Sequence, residues 1–362
     1  QTMTNLGILW MGEQQDRKRL LYPPAIQFIK YDAREQKVAK RTWTDAVLNP
    51  KELIEAVWKE IPDWKEYTEI PNGLFRDTVP HYDEIVVREL LANALVHRPY
   101  TTRGDIFINL YPDHLEIHNP GLLPMGVTPH NILHQRVARN RYLAELFYAL
   151  GLMEKEGSGY DTVYEVLLSQ ARHVPEIREE YDRVVVSVDR RIIRSEIIDL
   201  IARVDASYQL TQRERISLGM IAQHGSLTAL EFSKLLAVDE GSRLRNWLGR
   251  LEEEQVVISR GKTRAKEYRV NPEILREADF KGQTTLKAIA PHRIRELVLA
   301  DITTYAPGPS KAIGIVTIHN RIGKEIPRHK IKRALDGLIE EGAIVPIGER
   351  RHRRYALKIG ES

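Results

Sequence analysis

From Val86 to Tyr100 the chain reads Val-Val-Arg-Glu-Leu-Leu-Ala-Asn-Ala-Leu-Val-His-Arg-Pro-Tyr, an amphipathic helix running into the alternating stretch Gly104 to His118. That stretch alternates apolar and polar residues across a turn at Pro112-Asp113, so it reads as a β-hairpin, and helix plus hairpin fit an α+β fold class. The helical period stacks Glu89, Asn93 and His97 one turn apart on one face. On an otherwise apolar helix, a carboxylate and a carboxamide so placed can hold a divalent cation and orient a water. That is the shape of a nucleotide site.

Beyond the hairpin stands Asn119-Pro-Gly121, and after a helical pattern from Tyr142 to Leu152 comes Glu156-Gly-Ser-Gly-Tyr160 at the head of another helix. Glycines admit backbone N–H groups close to phosphate oxygens, and a helix N-terminus favours their charge. In this order the motifs resemble the GHKL (Bergerat-fold) ATPases, and more closely the Schlafen AlbA-2 and RecG-related group of transcriptional regulators. The resemblance covers roughly residues 1 to 190 and is clearest from Glu89 to Gly159.

What the resemblance implies is an α/β sandwich that binds ATP and Mg²⁺. Glu89 would be the general base and Asn93 the metal ligand. Asn119 would contact adenine, a place where most GHKL enzymes carry Asp, and Gly121 would let the base approach. Gly157, Ser158 and Gly159 would lie against the phosphates, and the segment before them would be a mobile lid. Within the lid Arg139-Asn140 resembles an Arg-Asn-Pro signature with Arg141 in the proline place. His97 and Arg98 match a His-Arg pair, with Arg98 reaching toward phosphate. Taken singly, each motif has a plainer reading: Glu89 as a solvated helix residue, Asn119 and Gly121 as a turn, the Gly pair as a helix start. For His97 the plainer reading, a hydrogen-bonded structural histidine, comes first.

With 362 residues the chain exceeds one ordinary core, and length suggests about two or three domains. The absence of cysteine excludes disulfides and Cys-based zinc sites and fits a cytoplasmic setting. No apolar run reaches membrane-span length, so no membrane partner is expected. There is no Gly-x-x-x-x-Gly-Lys-Ser/Thr loop, which leaves a P-loop helicase motor without a seat.

Charge is uneven. From Gly241 to Ser362 there are 25 Lys plus Arg against 15 Asp plus Glu, while the first 240 residues hold 29 against 35. The basic part coincides with a helix-turn-helix pattern read twice. The first copy has a helix through Ile216 to Gln223, a short helix Ala229 to Leu236, a third from Arg243, and two strands joined by a basic tip, with Thr211 and Thr228 as N-caps. The second has a helix from Lys330 to Gly342 and another basic hairpin. Both read as winged helices. Arg243, Arg245, Arg250, Lys262, Arg264 and Lys266 in the first, and Lys330, Arg333, Arg350, Arg351, Arg353 and Arg354 in the second, are the candidate DNA contacts. Winged helices also serve protein partners.

The expected organisation is therefore 1–45, the end of an AlbA-2-like domain whose beginning precedes Gln1; 46–192, the GHKL-like domain with Pro50–Ile61 as its first helix and Arg183–Val188 as its last strand; and winged helices at 193–275 and 285–362. Arg191–Gln209 and Asn271–Pro291 are the expected linkers. The leading functional expectation is an ATP-binding, Mg-dependent, DNA-binding regulator. The alternative is a transcriptional regulator whose ATPase-like domain is an inactive sensor or oligomerisation platform, and a homo-oligomer is left open.

Overall fold

The architecture follows from a six-stranded mixed sheet with helices packed on one face. In the computed structural model, residues 3–44, 48–72, 75–135, 137–153, 159–238, 242–277, 291–323, 326–348 and 353–358 are described. They fall into two units, 1–268 and 269–362.

The first unit opens with α1 (Asn5–Met11) and α2 (Gln14–Arg17), then β1 (Ala25–Tyr31) and β2 (Lys37–Thr44). Next come α3 (Pro50–Glu60), a separate hairpin of β3 (Tyr67–Asn72) and β4 (Phe75–Pro80), and α4 (Glu84–His97). The strands β5 (Ile106–Leu110) and β6 (His114–Pro120) follow, then α5 (Arg141–Ala149), α6 (Gly159–Ser169), β7 (Glu176–Glu180) and β8 (Arg183–Asp189). The sheet order is β2-β1-β5-β6-β8-β7, with β1 and β5 parallel and the other neighbours antiparallel.

Alternation along the strands sends Ile26, Phe28, Ile106, Ile108, Leu115 and Ile117 into one core with Leu53 and Val57 of α3 and Leu91 and Leu95 of α4. The α4 helix is apolar on nearly every side because it lies buried in that layer, started by Asp83, whose side chain accepts from Ile85 N. On α3, Asn49 and Glu52 form a reciprocal cap ahead of Pro50.

Two expected boundaries do not interrupt the structure. The break near residue 45 falls within the sheet, since β1 lies beside β5, and the Trp10 ring meets Phe147 edge-on at 5.8 Å. The stretch Arg191–Gln209, expected as a linker, instead contains α7 (Glu196–Tyr208). Its Ile197, Leu200, Ile201 and Val204 recur at helical spacing and are buried, an apolar stripe that a linker would not carry.

After α7 come α8 (Gln212–His224), β9 (Leu227–Thr228), α9 (Ala229–Leu236), α10 (Ser242–Glu253), β10 (Val257–Arg260) and β11 (Glu267–Val270). Thr211 and Thr228 are the N-caps the sequence reading expects, each in a capping box with Glu214 or Glu231. The second unit has α11 (Pro272–Glu277), α12 (Pro291–Tyr305), β12 (Ile313–Gly314), α13 (Ile315–Ile322), α14 (Arg328–Glu340), β13 (Ile344–Ile347) and β14 (Arg354–Leu357). Its core joins Ile294, Val298 and Ile302 to Ile331, Leu335 and Leu338. In both three-helix segments the third strand lies between the first and the second, in the orders β10-β11-β9 and β12-β14-β13. The repeat read from the sequence is thus also a repeat of topology. Among the described residues no helix is long and apolar enough to cross a membrane.

Candidate functional site

Between α4, α5, the start of α6 and the strands β6 and β8 lies a cavity of about 550 Å³. Its size suits a drug- or nucleotide-sized ligand. Six of the expected residues line it: Glu89, Asn93, His97, Asn119, Gly121 and Gly159. They come from three separate stretches of chain, brought together because α4 lies on the sheet and α6 begins against α4.

Glu89 is buried, at 5% exposure. The Asn93 amide donates from Nδ2 to the Glu89 carbonyl at 2.8 Å and to Glu89 Oε1 at 2.9 Å. Both amide protons are thereby committed, so Asn93 offers the cavity its carbonyl oxygen, a hard donor suited to a cation such as Mg²⁺. The start of α6 closes this corner. A Cβ built on Gly159 would lie 1.9 Å from Glu89 Oε1 and 3.4 Å from Asn93 Nδ2, so only glycine permits the approach. The Tyr148 phenol is held above its ordinary range, first by burial and then by the Glu89 charge.

At the sheet side, Asn119 Oδ1 is buried and has no hydrogen-bond partner among the described residues. An unmet buried acceptor is costly, and because this atom has almost no accessible surface, a ligand in the cavity would reach it only after the Asn119 side chain turns. Gly121 sits beside it at φ +85°, where a Cβ would meet Pro99 Cγ at 2.8 Å. Its glycine is required by that packing and by its backbone, whatever the ligand.

His97 lines the cavity one turn beyond Asn93. Burial, reinforced by the positive charge of Arg139, pushes its imidazole down to about 4. It is neutral near pH 7 and supplies no charge to a phosphate.

Three expected ligands sit elsewhere. Arg98 is 1% exposed, and its guanidinium donates to the carbonyls of Tyr22 and Gly104, each at 2.8 Å. It clamps the entry to β1 onto the end of α4 and does not reach the cavity. Asn140 Nδ2 donates to the carbonyls of Val96 and Arg98 at 2.8 and 2.7 Å, satisfying the open end of α4. Arg139 donates to the Leu122 carbonyl at 2.5 Å and so ties this part of the chain back to the end of β6. The segment between them has further bonds of its own, such as Thr128 N to Asn131 Oδ1 at 2.7 Å. Gly157 and Ser158 lie outside the described residues.

Arg141, which the sequence reading marks only as a departure from proline, is on the cavity wall and pairs with Glu145 at 2.8 Å. Among the described residues no group of three or more His, Cys, Asp or Glu side chains is placed to hold a metal. A magnesium ion here would rest on Asn93 and on the oxygens of its ligand.

Of the expected DNA contacts, Arg250 is engaged by Glu214 at 2.9 Å and by the Tyr208 carbonyl, and Lys266 by Glu252 at 2.7 Å. Arg245 of α10 is exposed, as are Lys262, Arg264, Arg333, Arg353 and Arg354. Lys330 lies in the first turn of α14. Arg350, Arg351 and the Arg243 side chain lie outside the described residues.

Residues 104–188 match the family model described as "Putative ATP-dependent DNA helicase recG C-terminal". The chain therefore carries a RecG-related, ATPase-like domain, an assignment that points to a nucleotide. Glu89 and Asn93 precede the matched segment, so their roles rest on the geometry of the cavity. No curated protein matches the chain. Among solved structures, that of the DIP2311 protein from Corynebacterium diphtheriae superposes with a TM-score of 0.61 at 21% sequence identity. The match covers 98% of this chain and 61% of that one, and at this identity it speaks for the fold alone.

Proposed function

We propose that this chain is a nucleotide-dependent, DNA-binding regulator that binds ATP in the α4–α6 cavity of a Bergerat-type domain and hydrolyses it with Mg²⁺. The carrying observation is the convergence of Glu89, Asn93 and Gly159 at one end of a cavity that Asn119 lines on its sheet side. In this reading Asn119 accepts from the base, and Asn93 turns its carbonyl oxygen toward the metal, which neutralises phosphate charge when bound. Glu89, held by Asn93, orients and deprotonates the attacking water. The lid residues Leu122, Val127 and Ile132 exclude bulk solvent.

The segments 211–270 and 291–358 are read as winged helices. A path from the cavity to the first is built into the unit. The α6 helix starts on Glu89 and packs along α8, where a Cβ at Gly219 would meet Leu168 Cβ at 2.8 Å. Arg215 of α8 grips Glu165 of α6 at 2.5 Å. On the lid, Ile132 lines the cavity while His134, two residues on, bonds through Nε2 to the Leu236 carbonyl at the end of α9 at 2.6 Å. In this reading nucleotide occupancy acts on the position of the first winged helix through these contacts.

A second reading, binding without turnover, is favoured by the charge of the cavity. Among its described lining residues Arg141 alone carries a permanent positive charge, and it faces Glu145. Phosphate release by the parent and by Glu89→Gln separates the two. Catalysis predicts a Mg-dependent rate that falls at least about 100-fold in the variant, the usual scale for a lost general base. Equal background rates would leave the sensor reading. DNA affinity measured with and without ATP is expected to differ, and an unchanged value would remove the coupling.

A further inference from the structure

The two winged-helix segments differ in what their basic residues are doing. In the first, Arg250 and Lys266 are held by Glu214 and Glu252 and α8 is packed against α6, which leaves Arg245 as the one cation of α10 that is exposed and unpaired among the described residues, against three on α14. In the second unit the sequence from Arg269 to Ser362 holds 18 Lys plus Arg against 11 Asp plus Glu. On α14, Arg328, Lys332 and Arg333 are exposed, and none of the three has an ion pair or hydrogen bond among the described residues. They fall at i, i+4 and i+5, and so share one side of the helix, with exposed His329 between them. The opposite side, Ile331, Ala334, Leu335 and Leu338, is in the core.

Charge is also graded along α14. The cations fill its first half, which the helix dipole already makes positive, whereas Glu340 ends the helix and Glu341, just beyond it, is bound by Arg295. A helix that follows a short helix and a five-residue connector (323–327), with its cations at the leading end, has the form of a helix that enters a major groove N-terminus first. Exposed Arg353 and Arg354, where β14 begins, add charge on the neighbouring hairpin.

We infer that the main duplex-DNA surface of this chain is the leading half of α14, with Arg328, Lys332 and Arg333 on phosphate and base edges, and that Arg250 and Lys266 of the first segment are structural. This rests on the DNA-binding part of the function proposed above.

The test uses the full chain and a fluorescent duplex, with affinity measured by anisotropy from 50 to 200 mM salt. Each phosphate contact contributes about −0.9 to the slope of log K against log salt. The Arg328→Gln/Lys332→Gln/Arg333→Gln variant, changed only at exposed sites, is expected to lose up to about 2.7 from that slope and roughly tenfold or more in affinity at low salt. Arg250→Gln, with circular dichroism confirming its fold, is expected to keep the parental slope. A triple variant with the parental slope, or an Arg250→Gln variant with the larger loss, overturns the assignment to α14 while DNA binding stands. A parent that ignores duplex DNA, or binds single-stranded RNA of equal length more tightly, overturns both.

Discussion

Gly159→Ala is expected to reduce Mg-dependent phosphate release by about 100-fold or more while the protein remains folded. The added methyl would stand 1.9 Å from Glu89 Oε1 and 2.8 Å from its Cδ, well inside contact distance. The backbone of α6 is braced by α4 and α8, so the group that yields is the carboxylate. Moving it breaks the 2.9 Å bond from Asn93 Nδ2 and displaces both the carboxylate proposed as base and the amide proposed to face the metal. Displacements of about 1 Å at a reacting centre carry rate losses of this size. Alanine is itself a better helix former than glycine, so the thermal midpoint should shift by only a few degrees. Parallel measurements of phosphate release and thermal unfolding check the result. A variant with parental rates would show that Glu89 does not act from this corner.

Arg98→Ala should act in the opposite way, on stability rather than on affinity. The guanidinium is almost fully buried, and at least three backbone carbonyls, of Tyr22, Pro23 and Gly104, take its protons. Charged hydrogen bonds of this kind are worth about 1.5–3 kcal/mol each, and the orphaned carbonyls carry a desolvation cost. Because the deletion also leaves a hole beside α4, a loss of roughly 3–5 kcal/mol is expected. A urea titration would read it as a lower midpoint at constant slope. Had Arg98 been a phosphate ligand, the midpoint would hold and nucleotide affinity would fall. That outcome would contradict the clamp.

The contrast between these two positions shows what could be read from residues alone. Glu89 and Asn93 are one helical turn apart, and helical periodicity suffices to place them on one face. Gly159 belongs to a glycine pair opening a helix, a pattern with a local physical cause. Arg98 and Asn140 carry no such signal, because their partners are backbone carbonyls: those of Tyr22 and Pro23 lie some 75 residues from Arg98, and those of Val96 and Arg98 more than 40 residues from Asn140. A polar residue on a backbone carbonyl looks, in sequence, like a polar residue awaiting a ligand.

Other differences have the same origin. The strand β7, Glu-Ile-Arg-Glu-Glu, has one apolar residue in five and is recruited by pairing with β8. The joining of β1 to β5 across some 75 residues of chain is likewise a tertiary event. The α7 helix, expected as a linker, is a different case: the spacing of Ile197, Leu200, Ile201 and Val204 already marks a buried stripe, and the linker expectation overlooked it. On α14 the exposed cations Arg328 and Lys332 became distinguishable from ordinary surface charge only once their lack of partners was visible.

The cavity's role can be tested most directly by isothermal titration of the intact chain with ATP and Mg²⁺, alongside GTP. The proposed site predicts saturable binding of one ATP per chain, with GTP weaker where Asn119 turns its amide oxygen, and not its NH₂, toward the base. Heat signals flat for both nucleotides would contradict nucleotide binding in this cavity and, with it, the catalytic roles of Glu89 and Asn93.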